Sequence, residues 1–252
     1  MSEFKIGWLF PDALFLHGER GNILALARYA ELCGFDHSVT KIDFDTENFD
    51  PMAYDVLFAA PGEISVFPYV RDWLMPYRDR LAEYIENGHP LFVTGTTVGL
   101  FGKKIVRADG SEIDGLGITH SVMTERGYIY GDDVLFKCTY NDVDMEIVGS
   151  QVSMADLDIG DEEPFGELEY GYGNTGKDRK EGMVRGYSVF TNTLGPVLAY
   201  CPWLTVEIIR AAAWASGKSC GEITYDMDLE KKSFELKKKF NLSKQTNLTN
   251  CK

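Results

Sequence analysis

The segment PLFVTGTTVGLF, residues 90–101, joins an apolar run to a sharp turn of glycine and threonine. The run 90–93 predicts a buried strand, residues 94–97 form the turn, and residues 98–101 can begin a helix. In many α/β enzymes the reactive side chain lies at such a strand-to-helix corner. The segment therefore predicts one unit of a parallel sheet with a candidate site at its end.

Strands and helices are predicted to alternate on both sides of this segment. Strands are expected at 4–10, 38–42, 54–60 and 188–191, and helices at 22–33, 66–87 and 206–216. Asn22 is predicted to cap the first helix, and Pro76 to kink the second. Short β-like runs fill residues 104–148. The predicted fold is α/β, with a flavodoxin-like, doubly wound, mostly parallel sheet and a β-rich insertion.

The composition indicates a globular protein with one large core. The chain has 252 residues, of which 44% are hydrophobic and 25% charged. A chain of this length buries most of its surface without disulfides. We predict one domain over residues 1–225 and a basic tail over residues 226–252 that is either helical or disordered.

The net charge argues against binding to polyanions. The formal charge is −14, and residues 1–229 carry −19 because the last 23 residues hold seven lysines and two glutamates. Such an acidic body repels phosphate backbones, so neither nucleic acid nor an anionic membrane is expected as a partner. With no secretion signal and no membrane span in the sequence, we expect a cytoplasmic protein.

The sequence gives no sign of a metal or a cofactor. Its five cysteines are widely spaced without a C-x-x-C pair, so they are expected to be reduced thiols. An acidic run could supply oxygen ligands to a cation, but it lacks the pattern of a calcium loop and is better explained as a solvated loop. The run comprises Asp156, Asp158, Asp161, Glu162 and Glu163.

Five segments between positions 20 and 198 carry a family resemblance. They are RGNILALARYAELCGF (20–35), YDVLFAAPG (54–62), LFGKKIVRADGSEIDGLGI (100–118), EYGYGNTGKDRKEGM (169–183) and LGPVL (194–198). The chain resembles the glutaminase subunits of lipid II isoglutaminyl synthase, which are class I glutamine amidotransferases of the cobyric acid synthase type. The resemblance implies the fold of that class. It also implies a Mur-ligase-like ATP-dependent subunit as the partner of this chain.

The resemblance also implies where a glutaminase site would lie. The family's nucleophilic cysteine aligns with Gly95, and its histidine, just before a Gly-Pro pair, aligns with Leu194. Neither residue can attack or deprotonate an amide. The remaining candidates for a ligand pocket at these corners are Gly62, Thr94, Thr96, Thr97 and Thr193.

These observations favour a pseudoenzyme, a glutamine amidotransferase-like binding subunit without the cysteine and histidine. Two alternatives stay open. The chain could be an enzyme that acts on a different small molecule in the same crevice, or a glutaminase with an unrecognised nucleophile such as a threonine. A threonine hydroxyl needs an adjacent base, and its ordinary role is to cap the following turn.

Overall fold

A computed structural model describes residues 3–244, which form two six-stranded sheets and seven α-helices. The strands are β1 Glu3–Leu9, β2 Asp36–Ile42, β3 Val56–Ala59, β4 Leu91–Thr94, β5 Lys104–Val106, β6 Glu112–Asp114, β7 Val122–Tyr140, β8 Val143–Asp158, β9 Gly166–Tyr170, β10 Lys180–Glu181, β11 Met183–Arg185 and β12 Ser188–Thr191. The helices are α1 Arg20–Leu32, α2 Phe67–Leu74, α3 Arg78–Glu86, α4 Val98–Phe101, α5 Val197–Tyr200, α6 Pro202–Ala215 and α7 Asp228–Ser243.

The first sheet has the order β11-β12-β4-β3-β1-β2. All its neighbouring strands are parallel except β11, which pairs antiparallel with β12 at one edge. Every residue of β3, β4 and β12 is buried, as expected for central strands of a parallel sheet covered on both faces. The prediction of a doubly wound, mostly parallel α/β sheet is therefore confirmed.

The β-rich insertion forms the second sheet. Its order is β10-β9-β7-β5-β6, with β8 paired to β7 in a long antiparallel hairpin. Asn141 and Asp142 form the two-residue hairpin turn with positive φ angles of 52° and 60°. Asparagine and aspartate tolerate this left-handed backbone, which a tight hairpin requires.

Three helix predictions need correction. The region predicted as one helix over 66–87 is divided into α2 and α3 by a 3-10 turn at Met75–Tyr77, because Pro76 has no N–H to donate. Asn22 lies inside α1, and Glu19 is the N-cap residue. Helix α6 starts at Pro202 instead of Val206, since proline suits the first turn of a helix.

Helix α7 packs on strands β7, β8 and β9 of the second sheet and on helix α5. Its Phe234 is buried and packs edge-on against the Trp203 ring, with centroids 4.9 Å apart. Lys238 pairs with Glu146 of β8 at 2.5 Å. Residues 245–252 of the predicted tail lie outside the described residues, and the division at residue 225 stays a prediction. None of the helices within 3–244 is long and apolar enough to cross a membrane.

Candidate functional site

The corner after β4 has the backbone of a nucleophile elbow. Gly95 follows the strand directly, opens the 3-10 turn Gly95–Thr97 and has a φ of +62°. L-residues with a Cβ are strained in this left-handed region, whereas glycine adopts it freely. A nucleophile elbow uses such a sharp turn to expose its side chain. In this chain the turn is present without a side chain to expose.

Two apolar side chains occupy the space that a side chain on Gly95 would need. A Cβ built on Gly95 would lie 2.8 Å from Cγ and 3.0 Å from Cβ of Pro61, and 3.2 Å from Cδ2 of Leu194. These distances are shorter than ordinary van der Waals contacts of about 3.5–4.0 Å. Gly95 and Leu194 therefore face each other across this corner, and a side chain on Gly95 would require Pro61 or Leu194 to shift.

Strand pairing brings the two corners together. Thr94 at the end of β4 is paired with Thr191 at the end of β12 in parallel register. The carboxyl ends of neighbouring parallel strands lie at one edge, where ligands bind in open α/β sheets. The second sheet then covers the Leu194 loop, because the backbone groups of Ser150 and Leu194 exchange hydrogen bonds of 3.0 and 2.7 Å.

Two of the threonines at the corner, Thr96 and Thr97, bond to the neighbouring loop. The Thr96 hydroxyl donates to the Gly62 carbonyl at 2.6 Å, and the Thr97 hydroxyl donates to the Ala60 carbonyl at 2.8 Å. Both bonds tie the β4 corner to the loop after β3. Thr94 and Thr193 are fully buried. Their assignment to a ligand pocket stays a prediction. The expected capping of the following turn is not observed for Thr96 and Thr97, because their hydroxyls bond to the distant loop after β3 instead.

A buried carboxylate that sequence reasoning missed holds the Gly-Pro corner. Glu19 accepts a hydrogen bond from the Gly195 N–H at 2.6 Å and from the Asn22 side-chain amide at 2.6 Å. Asn22 in turn accepts the N–H of Leu198 at 2.9 Å. Burial raises the pKa of Glu19 to about 7, although both hydrogen bonds act in the opposite direction. No local pattern signals these contacts, because they join residues 176 positions apart.

A second buried carboxylate fixes the other end of the same loop. Glu181 accepts hydrogen bonds of 2.9 Å from the Thr191 hydroxyl and the Asn192 N–H, and the Thr193 hydroxyl also faces it. Complete burial raises the pKa of Glu181 to about 7. Asn174 supports this arrangement by bonding both backbone groups of Gly182. The motif over 169–183 thus acts on the Leu194 loop, a role that the sequence alone did not indicate.

Only part of the acidic run is the solvated loop that was predicted: Asp161, Glu162 and Glu163 lie in the loop after β8, whereas the first two acids lie in the strand. Asp156 and Asp158 belong to strand β8, and Asp156 pairs with Arg126 at 3.0 Å. Asp161 contacts His120 at 2.5 Å, and Glu162 contacts Arg185 at 3.3 Å. The correction follows from the long β7–β8 hairpin, which extends further than the short β-like runs suggested. Among residues 3–244, no three His, Cys, Asp or Glu side chains are grouped to hold a metal ion.

Comparison of structures identifies the class of the fold. A glutamine amidotransferase from Thermotoga maritima superposes with a TM-score of 0.51 at 9% identity, over 98% of this chain and 94% of that chain. At this identity the likeness concerns the fold alone. No protein-family model matches the chain. The chain therefore has the fold of class I glutamine amidotransferases.

Two sequence relatives are similar to the chain over most of its length. The chain is similar to the lipid II isoglutaminyl synthase (glutamine-hydrolyzing) subunit GatD of Staphylococcus aureus, with 29% identity over 218 residues, 86% of this chain and 87% of the relative. The subunit of the same name from Streptococcus pneumoniae is 26% identical over 213 residues, 83% of this chain and 80% of that protein.

We predict that adding a methyl group at the elbow costs more than backbone strain alone. Gly117 has the same φ of +62° but no atom within 4 Å of its Cβ position, so Gly117→Ala is a matched control for Gly95→Ala. Strain should cost about 1–2 kcal/mol in both variants. Overlap with Pro61 and Leu194 should add about 1–3 kcal/mol in Gly95→Ala only. Urea unfolding measures both values.

The same experiment in a Leu194→Ala background isolates the contact. There the additional cost of Gly95→Ala should decrease, since one of the two overlapping side chains is truncated. Equal destabilisation by Gly95→Ala and Gly117→Ala would show that the elbow space is not filled.

A second prediction concerns pH. The pKa values of Glu19 and Glu181 are raised above their ordinary value, so the native state binds more protons than the unfolded state between about pH 4.5 and pH 7. The free energy of unfolding should therefore decrease as pH rises through this window, by about 3 kcal/mol per group. Glu19→Gln and Glu181→Gln should each reduce this slope.

Unfolding at several pH values tests this prediction, with the exposed Glu47→Gln as the control variant. Each variant is compared with the wild type because other groups also titrate. Burial lowers the pKa of His89, so this group makes the free energy of unfolding rise with pH instead of fall. An unchanged slope in both variants would contradict the assignment of buried, proton-binding carboxylates.

Proposed function

We propose that the chain is a glutamine amidotransferase-like subunit that does not hydrolyse glutamine and that binds a Mur-ligase-like ATP-dependent enzyme. The absence of hydrolysis is inferred from the packing around Gly95. A Cβ on this residue would lie 2.8 Å from Pro61 and 3.2 Å from Leu194. Amide hydrolysis by this fold needs a nucleophile at the elbow and a base beside it. A glycine and a leucine supply neither.

Two buried cysteines, Cys138 and Cys201, offer little support for a displaced nucleophile. Cys138 and Cys201 are buried, and burial raises the pKa of both thiols, that of Cys201 to about 12. A thiol reacts as its thiolate, so these two cysteines are expected to be unreactive at neutral pH. The threonine alternative is not favoured either, because Thr96 and Thr97 donate their hydroxyl protons to backbone carbonyls.

The second half of the proposal rests on the relatives and on the retained architecture. Both relatives are named as subunits of a glutamine-hydrolysing synthase, and each aligns with at least 80% of its own length. Buried carboxylates and the second sheet hold the Leu194 loop in a defined position although its catalytic residue is absent. Retention of such a scaffold without its chemistry supports a role in binding a partner enzyme.

The proposal predicts a stable complex without glutaminase turnover. The purified chain, alone and mixed with a Mur-ligase-like protein from the same genome, is assayed for glutamate release from glutamine. We expect release at the rate of the partner alone, and a heteromeric species in size-exclusion chromatography with light scattering. Glutamate release that is abolished by Thr96→Val or Thr97→Val would contradict the proposed absence of glutamine hydrolysis. Separate elution of the two proteins would contradict the proposed complex.

A further inference from the structure

Two cysteines outside the crevice are brought close together by a backbone hydrogen bond. Cys33 caps the C-terminus of α1 and is 1% exposed, whereas Cys220 lies half-buried in the segment between α6 and α7. The Gly221 N–H donates to the Cys33 carbonyl at 2.8 Å, which places Cys220 beside Cys33. Each of the two thiols shifts the pKa of the other. The backbone bond therefore holds the two cysteines within reach of a disulfide.

The charged groups around the pair favour a thiolate on Cys220. Cys33 and the neighbouring Arg210 guanidinium lower the pKa of Cys220 to about 7, although partial burial and Glu207 act in the opposite direction. Arg210 is oriented by a 2.5 Å ion pair with Glu207 on the same helix. A thiol beside a guanidinium ionises more readily, and the thiolate is the nucleophile.

Cys33 has the opposite character. The neighbouring Cys220 and its own burial raise its pKa above the ordinary value. It also lies at the C-terminal end of a 13-residue helix, where the helix dipole disfavours a negative charge. The pair thus combines a half-exposed, ionisable thiol with a buried, protonated one. This is the arrangement of an attacking cysteine and a resolving cysteine.

We propose that Cys33 and Cys220 form a redox modification site, in which hydrogen peroxide converts the two thiols into a disulfide. The Cys220 thiolate attacks one peroxide oxygen, the O–O bond breaks, and the departing hydroxide takes up a proton as water. Cys220 is thereby oxidised to a sulfenic acid. The Cys33 sulfur then attacks the Cys220 sulfur, the S–O bond breaks, and the hydroxyl leaves as water with the Cys33 proton.

The disulfide would join the end of α1 to the segment that leads into α7. In the reduced protein these parts are connected by the backbone hydrogen bond from Gly221 to Cys33 and by the edge-on packing of the Tyr225 ring against the Tyr29 ring, with centroids 6.5 Å apart. Helix α7 itself packs on β7, β8 and β9 through Phe234 and its lysines. Oxidation would therefore tie the C-terminal segment covalently to the first helix.

Peptide mapping of the full chain after peroxide treatment tests the proposal. In the wild type we expect one cross-linked peptide pair containing Cys33 and Cys220, lighter by two hydrogens and restored by dithiothreitol. Cys138 and Cys201 serve as internal controls and should stay unmodified. In the native protein, iodoacetamide should alkylate Cys220 at least about tenfold faster than either buried cysteine.

Two variants separate the steps. Cys220→Ser, at a half-exposed position, should abolish both the cross-link and the oxidation. Cys33→Ala should abolish the cross-link and leave a sulfenic acid on Cys220 that dimedone traps, and circular dichroism checks that this variant is folded. Wild-type protein in which Cys220 is unreactive, or is oxidised without a bond to Cys33, would overturn the proposal, as would a cross-link that persists in Cys220→Ser.

Discussion

The packing of Pro61 and Leu194 around Gly95 is the constraint on which the proposed function of this protein depends. A positive φ at the end of β4 creates the sharp turn, and only a residue without a Cβ fits between the two side chains. The same turn would present a nucleophile if the residue had a side chain and its neighbours left room. Here the corner is a closed apolar contact.

Polar groups hold the loop that carries Leu194. Glu19 and Glu181 approach the loop 191–195 from opposite ends, and the hairpin strand β8 pairs with it from a third side. Burying two carboxylates is unfavourable unless hydrogen bonds compensate, and both groups accept bonds from this loop. The loop is therefore positioned by interactions that do not need a catalytic histidine.

Much of the fold follows from local patterns in the sequence. Buried apolar runs predicted strands such as β4 and β12, whereas Pro76, expected to kink one helix, lies in the 3-10 turn that separates two. The contact of Pro61 with Gly95 and the bond from Gly195 to Glu19 could not be predicted, because they join residues that are far apart in the chain. The role of Glu181 was missed because its motif and the loop near Leu194 were both recognised in the sequence, but the contact between them was not.

The most direct test uses a glutamine analogue that carries an electrophilic diazoketone in place of the carboxamide. Such a compound forms a covalent adduct with the nucleophile of a working glutaminase crevice. Intact-mass spectrometry and peptide mapping of the chain with its partner enzyme should show no adduct on residues 94–97 or 191–194. An adduct on Thr94, Thr96 or Thr97 would contradict the account and establish a nucleophile at the elbow.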